Sequence, residues 1–455
     1  MPPGLVWMMN RHAPRANPGP LSLAPTPRST VVALLALTGV NLGLAYATSV
    51  MAARALDIRH FDVYAVALAA MALLSTLAEL GLGKYAMRVI PVFAVRGAHG
   101  LARGYGRFGA GTVLVAGVGL ALLVGALEQL QPGEGVFGPV DAALCFLPVM
   151  ALVGYGAELA QAYDATLRSA IVTRVVVPAV PLAGLLAWQA RGVELTPLGA
   201  VTWHGVGWVV GLGCLGIFMR QVPPRAVLAA APEVRSREWM RDALPFLGFA
   251  LLLVAITRSS VIVMELVSDH EQTSVFAAVL ETGSILALVA KGTDKMYLPR
   301  LSQLLARGEG EQLLRLRRRR LAWVVPLCVA HMGLMLLLGR PLLQLFGEGF
   351  EQGQAALAVV SSGTAVWTVF SLKPSYLKYI GRQGFVLKGA LAAVLAGMGL
   401  TAWLGPRLGA LGGAIGFSVP LTCLYLVFAL VATRHARRLC DQEREAGAPG
   451  SPAAR

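Results

Sequence analysis

Runs of about twenty apolar residues recur from one end of this chain to the other, and no other feature restricts its fold as strongly. A hydrocarbon core about 30 Å thick is crossed by roughly 20 apolar residues in a helix. Twelve segments meet that length, at 30–53, 61–82, 108–128, 140–162, 170–190, 197–219, 243–266, 273–293, 321–339, 354–372, 385–404 and 410–432. They lack the two-residue alternation of an outer-membrane strand. The composition agrees: 56% of residues are hydrophobic, 14% are charged, and the mean hydropathy is +0.65. The expected fold class is an all-α polytopic membrane protein of about twelve transmembrane helices.

The basic residues orient it. With the N-terminus cytoplasmic, 33 of the 39 Lys and Arg residues fall in the cytoplasmic tails and loops, five fall in the opposite loops, and Arg258 lies between. That asymmetry predicts a multi-pass protein of the cell inner membrane with both termini cytoplasmic. The net charge of +15 would suggest nucleic acid in a soluble protein. Here "RLRRRR" at 315–320 abuts the ninth span, so it reads as a topology anchor against anionic lipid, and no nucleic-acid partner is expected.

The chain also repeats itself. Residues 61–91 align with 273–303 at a shift of 212, which sets Tyr64 on Phe276, Leu68 on Leu280 and Arg88 on Arg300. Phe137-Gly138 resembles Phe346-Gly347 at a shift of 209. Both halves begin on the same side, so the repeats are parallel, related by an axis along the membrane normal, and two six-helix lobes around a central cavity follow. The expected divisions are a disordered cytoplasmic tail (1–28), an N-terminal lobe (29–220), a cytoplasmic linker (221–242), a C-terminal lobe (243–433) and a basic cytoplasmic tail (434–455).

The hairpin "MAARALDIRHFDVYAVALAAMALLSTLAELGLGKYAMR" resembles the opening of the polysaccharide and oligosaccharide-lipid flippases. These are related to the O-antigen flippases and share a superfamily with the multidrug and toxin extrusion transporters. "LLQLFGEGFEQGQAALAVVS" and "LGPRLGALGGAIGFSVP" resemble that family's loop before the tenth helix and its Gly-rich approach to the twelfth. The resemblance covers about 400 residues. It implies an alternating-access flippase that moves a polyprenyl-diphosphate-linked oligosaccharide to the periplasmic leaflet for surface polysaccharide synthesis. Membrane lipids surround such a carrier, a proton or sodium ion couples it, and a polysaccharide polymerase acts downstream. A cation-coupled multidrug exporter of the same fold is the alternative; it calls for an acidic, aromatic-lined cavity. A membrane polymerase or ligase needs a folded outer loop, and the longest one here, from Glu128 to Pro139, has about a dozen residues. No loop carries a nucleotide-binding glycine motif, paired metal carboxylates or a Ser/His/Asp set, so no enzyme is expected.

The candidate site rests on charges within the spans. Arg258 lies roughly 12 Å below the outer end of the seventh span, and Glu281 is at a similar depth in the eighth. An unpaired arginine there costs on the order of 3 kcal/mol, so it must face a partner or water. Arg258 either binds an anionic head group, with Glu281 holding it between cycles, or forms a permanent structural pair with Glu281. Glu265 is near the outer interface and is expected to be solvated. Asn41, Tyr46 and Thr48 in "TGVNLGLAYATS" are candidate substrate contacts or helix-packing residues. Tyr46 corresponds to Arg258 under the 212 shift. Glu79 and Glu158 lie toward the inner side and suit ion coupling, or pairing with basic neighbours such as Lys84. Glu79 matches Lys291 in the repeat, which suggests a cytoplasmic inter-lobe gate. His204 reads as a hydrogen-bonded core residue. The five cysteines have no metal-ligand spacing, so neither a metal nor a cofactor is expected.

Overall fold

The computed structural model describes residues 28–129, 138–192, 194–287 and 309–446, with six isolated positions between 288 and 308. The N-terminal tail, Phe137, Arg300 and Lys291 lie outside the described residues, and with Lys291 the expected Glu79–Lys291 gate.

Among the described residues every regular element is helical, and eleven helices are long and apolar enough to cross a membrane. The first half consists of α1 (Arg28–Leu56), α2 (Phe61–Ala78), α3 (Leu82–Val95), α4 (His99–Gln129), α5 (Pro139–Ala162), α6 (Thr166–Ala190) and α7 (Pro197–Met219). A short α8 (Arg225–Ala229) follows in the linker. The second half holds α9 (Ser236–Val267), α10 (His270–Gly283), α11 (Gly310–Gln344), α12 (Gln354–Phe370), α13 (Leu372–Tyr379), α14 (Gln383–Leu408) and α15 (Ala410–Ala446).

Helices outrun their apolar runs at the basic ends. α11 begins eleven residues before the expected 321 because "RLRRRR" continues the helix, with Arg315, Arg318 and Arg319 exposed and Arg320 buried on the Thr368 carbonyl and Ser371 Oγ. For the same reason α9 takes in the last third of the expected linker, and α15 runs through most of the expected tail. The eighth span is not one continuous helix. α10 stops at Gly283, and residues 284–286 form a turn.

Each half packs on itself, α5 against α4, α2 and α7 in the first and α15 against α14 and α12 in the second. The lobes meet mainly through α2 and α3 on one side and α9 and α10 on the other. Equivalent residues touch across this junction: the Asp62 backbone N–H donates to Ser274 Oγ at 2.8 Å, and the two positions are 212 apart. A parallel repeat brings equivalent residues together only at its axis, so the axis passes here.

At the end carrying the α1–α2 and α9–α10 turns, the lobes are shut. Phe61, Phe346 and Phe350 are buried together with ring centroids 5.8–6.2 Å apart, Arg59 pairs with Glu271 at 3.3 Å, and Arg54 Nε donates to the Leu345 carbonyl at 2.6 Å. Toward the basic end, α9 alone of the long C-lobe helices keeps substantial contact with the N lobe among the described residues, through α3. Gly81, in the left-handed region at φ +71°, permits that contact: a Cβ there would lie 2.5 Å from the Ala243 carbonyl oxygen. Among the described residues the cleft between the lobes is therefore bridged more sparsely toward the basic end.

Candidate functional site

Halfway along the cleft, Arg258 on α9 and Glu281 on α10 approach to 3.9 Å, with side chains 42% and 35% exposed. α9 and α10 are antiparallel neighbours, and their separation in sequence brings the two charges to matching depth. The pair is loose. Neither group is sealed between helices.

Other side chains converge on it. Tyr46 on α1 brings its hydroxyl to 3.4 Å from Thr282 Oγ1, one residue beyond Glu281. Tyr64 on α2 meets His204 on α7 edge to face, with centroids 6.3 Å apart, and both lie within electrostatic reach of Arg258. The His204 Nδ1 is buried without a hydrogen-bond partner, so this histidine is not the satisfied core residue expected from sequence. The helix break at 284–286 falls directly after Glu281 and Thr282. Interrupted helices are tolerated at membrane depth where they are buried in protein or line a cavity.

The remaining candidates are elsewhere. Thr48 is 3% exposed and its hydroxyl donates to the Leu44 carbonyl of its own helix at 2.8 Å. Asn41 is half-buried on α1, two turns nearer the N-terminus. Glu158 is held by Lys84 within the N lobe, and Glu79 lies beside it against α5, where Gly154 leaves room for its carboxylate.

Sequence reasoning missed three things. Arg174, inside the expected span 170–190 but not singled out as a charge within it, lies in α6 at a π-helical turn (Val172–Val176) and donates to the Leu34 carbonyl at 3.1 Å and to Thr38, fastening α6 to α1. Glu265 is not simply solvated: its Oε1 lies 3.3 Å from His270 Nδ1. Asp62, 0% exposed, completes that group from the other lobe. A polar residue in the first turn of an apolar span was the available signal for Asp62.

No protein-family model matches the sequence, and no curated protein matches it. Solved structures do. One is the inward-facing conformation of a multidrug resistance MATE family transporter of the MOP superfamily, with 13% identity, 90% of this chain and 99% of that chain covered, and a TM-score of 0.73. The outward-facing conformation of a MATE family transporter matches at 14% identity, 94% and 100% coverage, and a TM-score of 0.60. The fold is that of the MOP-superfamily transporters. A MOP superfamily transporter from Pyrococcus furiosus, for which a reversed polarity of the binding pocket suggests a different function, also matches, at 14% identity, 90% and 96% coverage, and a TM-score of 0.55. The neighbours are transporters of the superfamily that the sequence resemblance points to; none of the three is described as a flippase of lipid-linked oligosaccharides.

Proposed function

We propose that this protein is an alternating-access exporter that carries amphipathic organic solutes, organic cations foremost, through the cleft between its lobes. The observation that carries this reading is the mid-membrane carboxylate of Glu281 beside the half-buried Tyr46 of the other lobe, with Arg258 as a loosely held counter-charge. A carboxylate beside aromatic faces is what a bulky organic cation requires, because the rings contribute cation–π attraction where water is scarce. Glu281 held by Arg258 at 3.9 Å is available for exchange, and an arriving cation competes with the guanidinium for the carboxylate. The likeness to transporters described as multidrug resistance proteins supports the same reading. A proton or sodium ion drives the return step, and the side bearing most Lys and Arg is cytoplasmic.

The test is dye export from cells lacking their own exporters. Expression of this chain should lower steady-state accumulation of a lipophilic cationic dye, and Glu281→Gln should restore it at equal protein level. Dye accumulation unchanged by the wild-type chain overturns the proposal.

Arg258 itself favours a second reading, in which its exposed guanidinium binds the diphosphate of a polyprenyl-linked oligosaccharide, with a polysaccharide polymerase downstream. Deleting the gene and following lipid-linked intermediates by mass spectrometry separates the two. Accumulated oligosaccharide lipid supports flipping, and unchanged glycans with heightened sensitivity to organic cations support export.

A further inference from the structure

At the shut end of the cleft, three side chains from both lobes point at one another. Asp62, at the start of α2, is fully buried, and its Oδ2 lies 2.5 Å from His270 Nδ1. Glu265, near the end of α9, brings Oε1 to 3.3 Å from the same nitrogen. One ligand atom from each residue lies within 4.8 Å of the other two. Asp62 and Glu265 each also retain a second, buried carboxylate oxygen, Oδ1 and Oε2, that has no hydrogen-bond partner.

Two carboxylates around one imidazole are over-supplied with negative charge. A protonated His270 contributes one positive charge against two, and one Nδ1 proton cannot satisfy two carboxylates. The nearby arginines are engaged elsewhere, Arg59 with Glu271 at 3.3 Å and Arg54 with the Leu345 carbonyl. A divalent ion balances both carboxylates and uses donors that a proton leaves idle. One imidazole nitrogen and two carboxylate oxygens suit zinc or a similar transition ion better than magnesium or calcium, which prefer all-oxygen shells.

We propose that Asp62, Glu265 and His270 form a zinc-type divalent-metal site that bridges the lobes at the shut end of the cleft. Asp62 belongs to the first half and the other two to the second, so the three ligands come together only while this end is closed. An ion that binds the closed arrangement more tightly than the open one shifts the population toward closure by that difference in affinity. The His270 side chain is 69% exposed, so an ion reaches the site from the aqueous end without passing through the cleft. Three protein ligands leave the fourth position of a tetrahedral ion open to water, unlike the closed four-ligand shell of a structural zinc. The Asp62 amide, held by Ser274 Oγ at 2.8 Å, fixes the carboxylate on the repeat axis. Spacing could not have shown the site, because its members stand at positions 62, 265 and 270. The proposal is independent of what the carrier moves.

The experiment uses the purified full-length chain in lipid nanodiscs, with zinc titrated against a chromogenic chelator. One equivalent of zinc should bind. Asp62→Asn and His270→Gln should each weaken it by more than the roughly 10- to 100-fold that removing an outer partner of a metal ligand costs, while the nearby exposed His60→Gln should leave it unchanged. His270→Gln carries the test should Asp62→Asn lower the yield. In a background with the native cysteines replaced, spin labels at Arg191→Cys and Arg340→Cys should give a narrower distance distribution when zinc is added, and Asp62→Asn should remove that response. Zinc affinity unchanged by both site substitutions, or zinc binding that leaves the inter-lobe distances as they were, overturns the proposal.

Discussion

Arg258 and Glu281 are a pair whose exposure decides its role. A sealed pair would lose about 3–5 kcal/mol on removal of one partner, but in the transport reading, where the exposed surface of this 3.9 Å pair meets water in the cleft, the pair is worth roughly 0–1 kcal/mol. Arg258→Ala should therefore leave protein abundance and melting temperature near wild type while changing transport, measured side by side in purified protein and in cells. A fall in abundance that Arg258→Ala with Glu281→Ala reverses would assign the pair to structure instead. His270 gives a second prediction at this scale. Its hydrogen bond to Asp62, and then the Asp62 charge, raise its pKa above the ordinary value, with Glu265 adding to the shift. A raised pKa means that the proton favours the state in which the contact is made. In metal-free buffer, its contribution to closure is complete below about pH 6.5 and disappears as pH rises through the raised value. Inter-lobe distances should lengthen over that interval in wild type and not in His270→Gln. Arg258 was legible in the sequence because a charge inside an apolar run is conspicuous. Asp62 and His270 were not, since each lies at a span end where polar residues are ordinary, and only the lobe interface makes them partners.

Helix lengths and breaks follow from where the chain meets water. The apolar runs marked the spans well, yet the helices continue past them wherever basic residues reach the interface, as in α11 and α15. The reverse error occurred in the eighth span, where the hydropathy run conceals the turn at 284–286 because Gly283 and Ser284 are compatible with helix and with turn alike. The apolar runs leave α3 between the spans 61–82 and 108–128, although it buries Leu82, Tyr85, Ala86 and Ile90 and lies as a helix against α9 and α5. Its start depends on Gly81. Gly97 has a similar positive φ, +64°, with nothing near a would-be Cβ. Gly97→Ala should cost about 1–2 kcal/mol for the left-handed backbone alone, whereas Gly81→Ala also drives a methyl group into the α9 backbone. The melting temperature should fall further for Gly81→Ala. Equal losses would mean that α3 and α9 can part freely.

For the whole molecule, the repeat is the feature on which the transport reading depends. Six and six helices place equivalent surfaces face to face, and the Asp62–Ser274 contact at a separation of 212 puts the repeat axis between the lobes. A parallel repeat requires an even number of crossings per half, so both termini and the linker must share one side of the membrane. The distribution of Lys and Arg predicts that this side is the cytoplasm. Reporter fusions after Arg103, Arg235, Arg317 and the C-terminus should all report cytoplasm, and fusions after Gly133, Asp269 and Gly349 should report the opposite side. The decisive pair is Asp269 and Arg317, because the segment between them contains the interrupted eighth span. If both report the same side, α10 and the residues after it form a re-entrant segment rather than a crossing. Spans nine to twelve would then be inverted relative to spans three to six, and the C-terminus would no longer share a side with the linker.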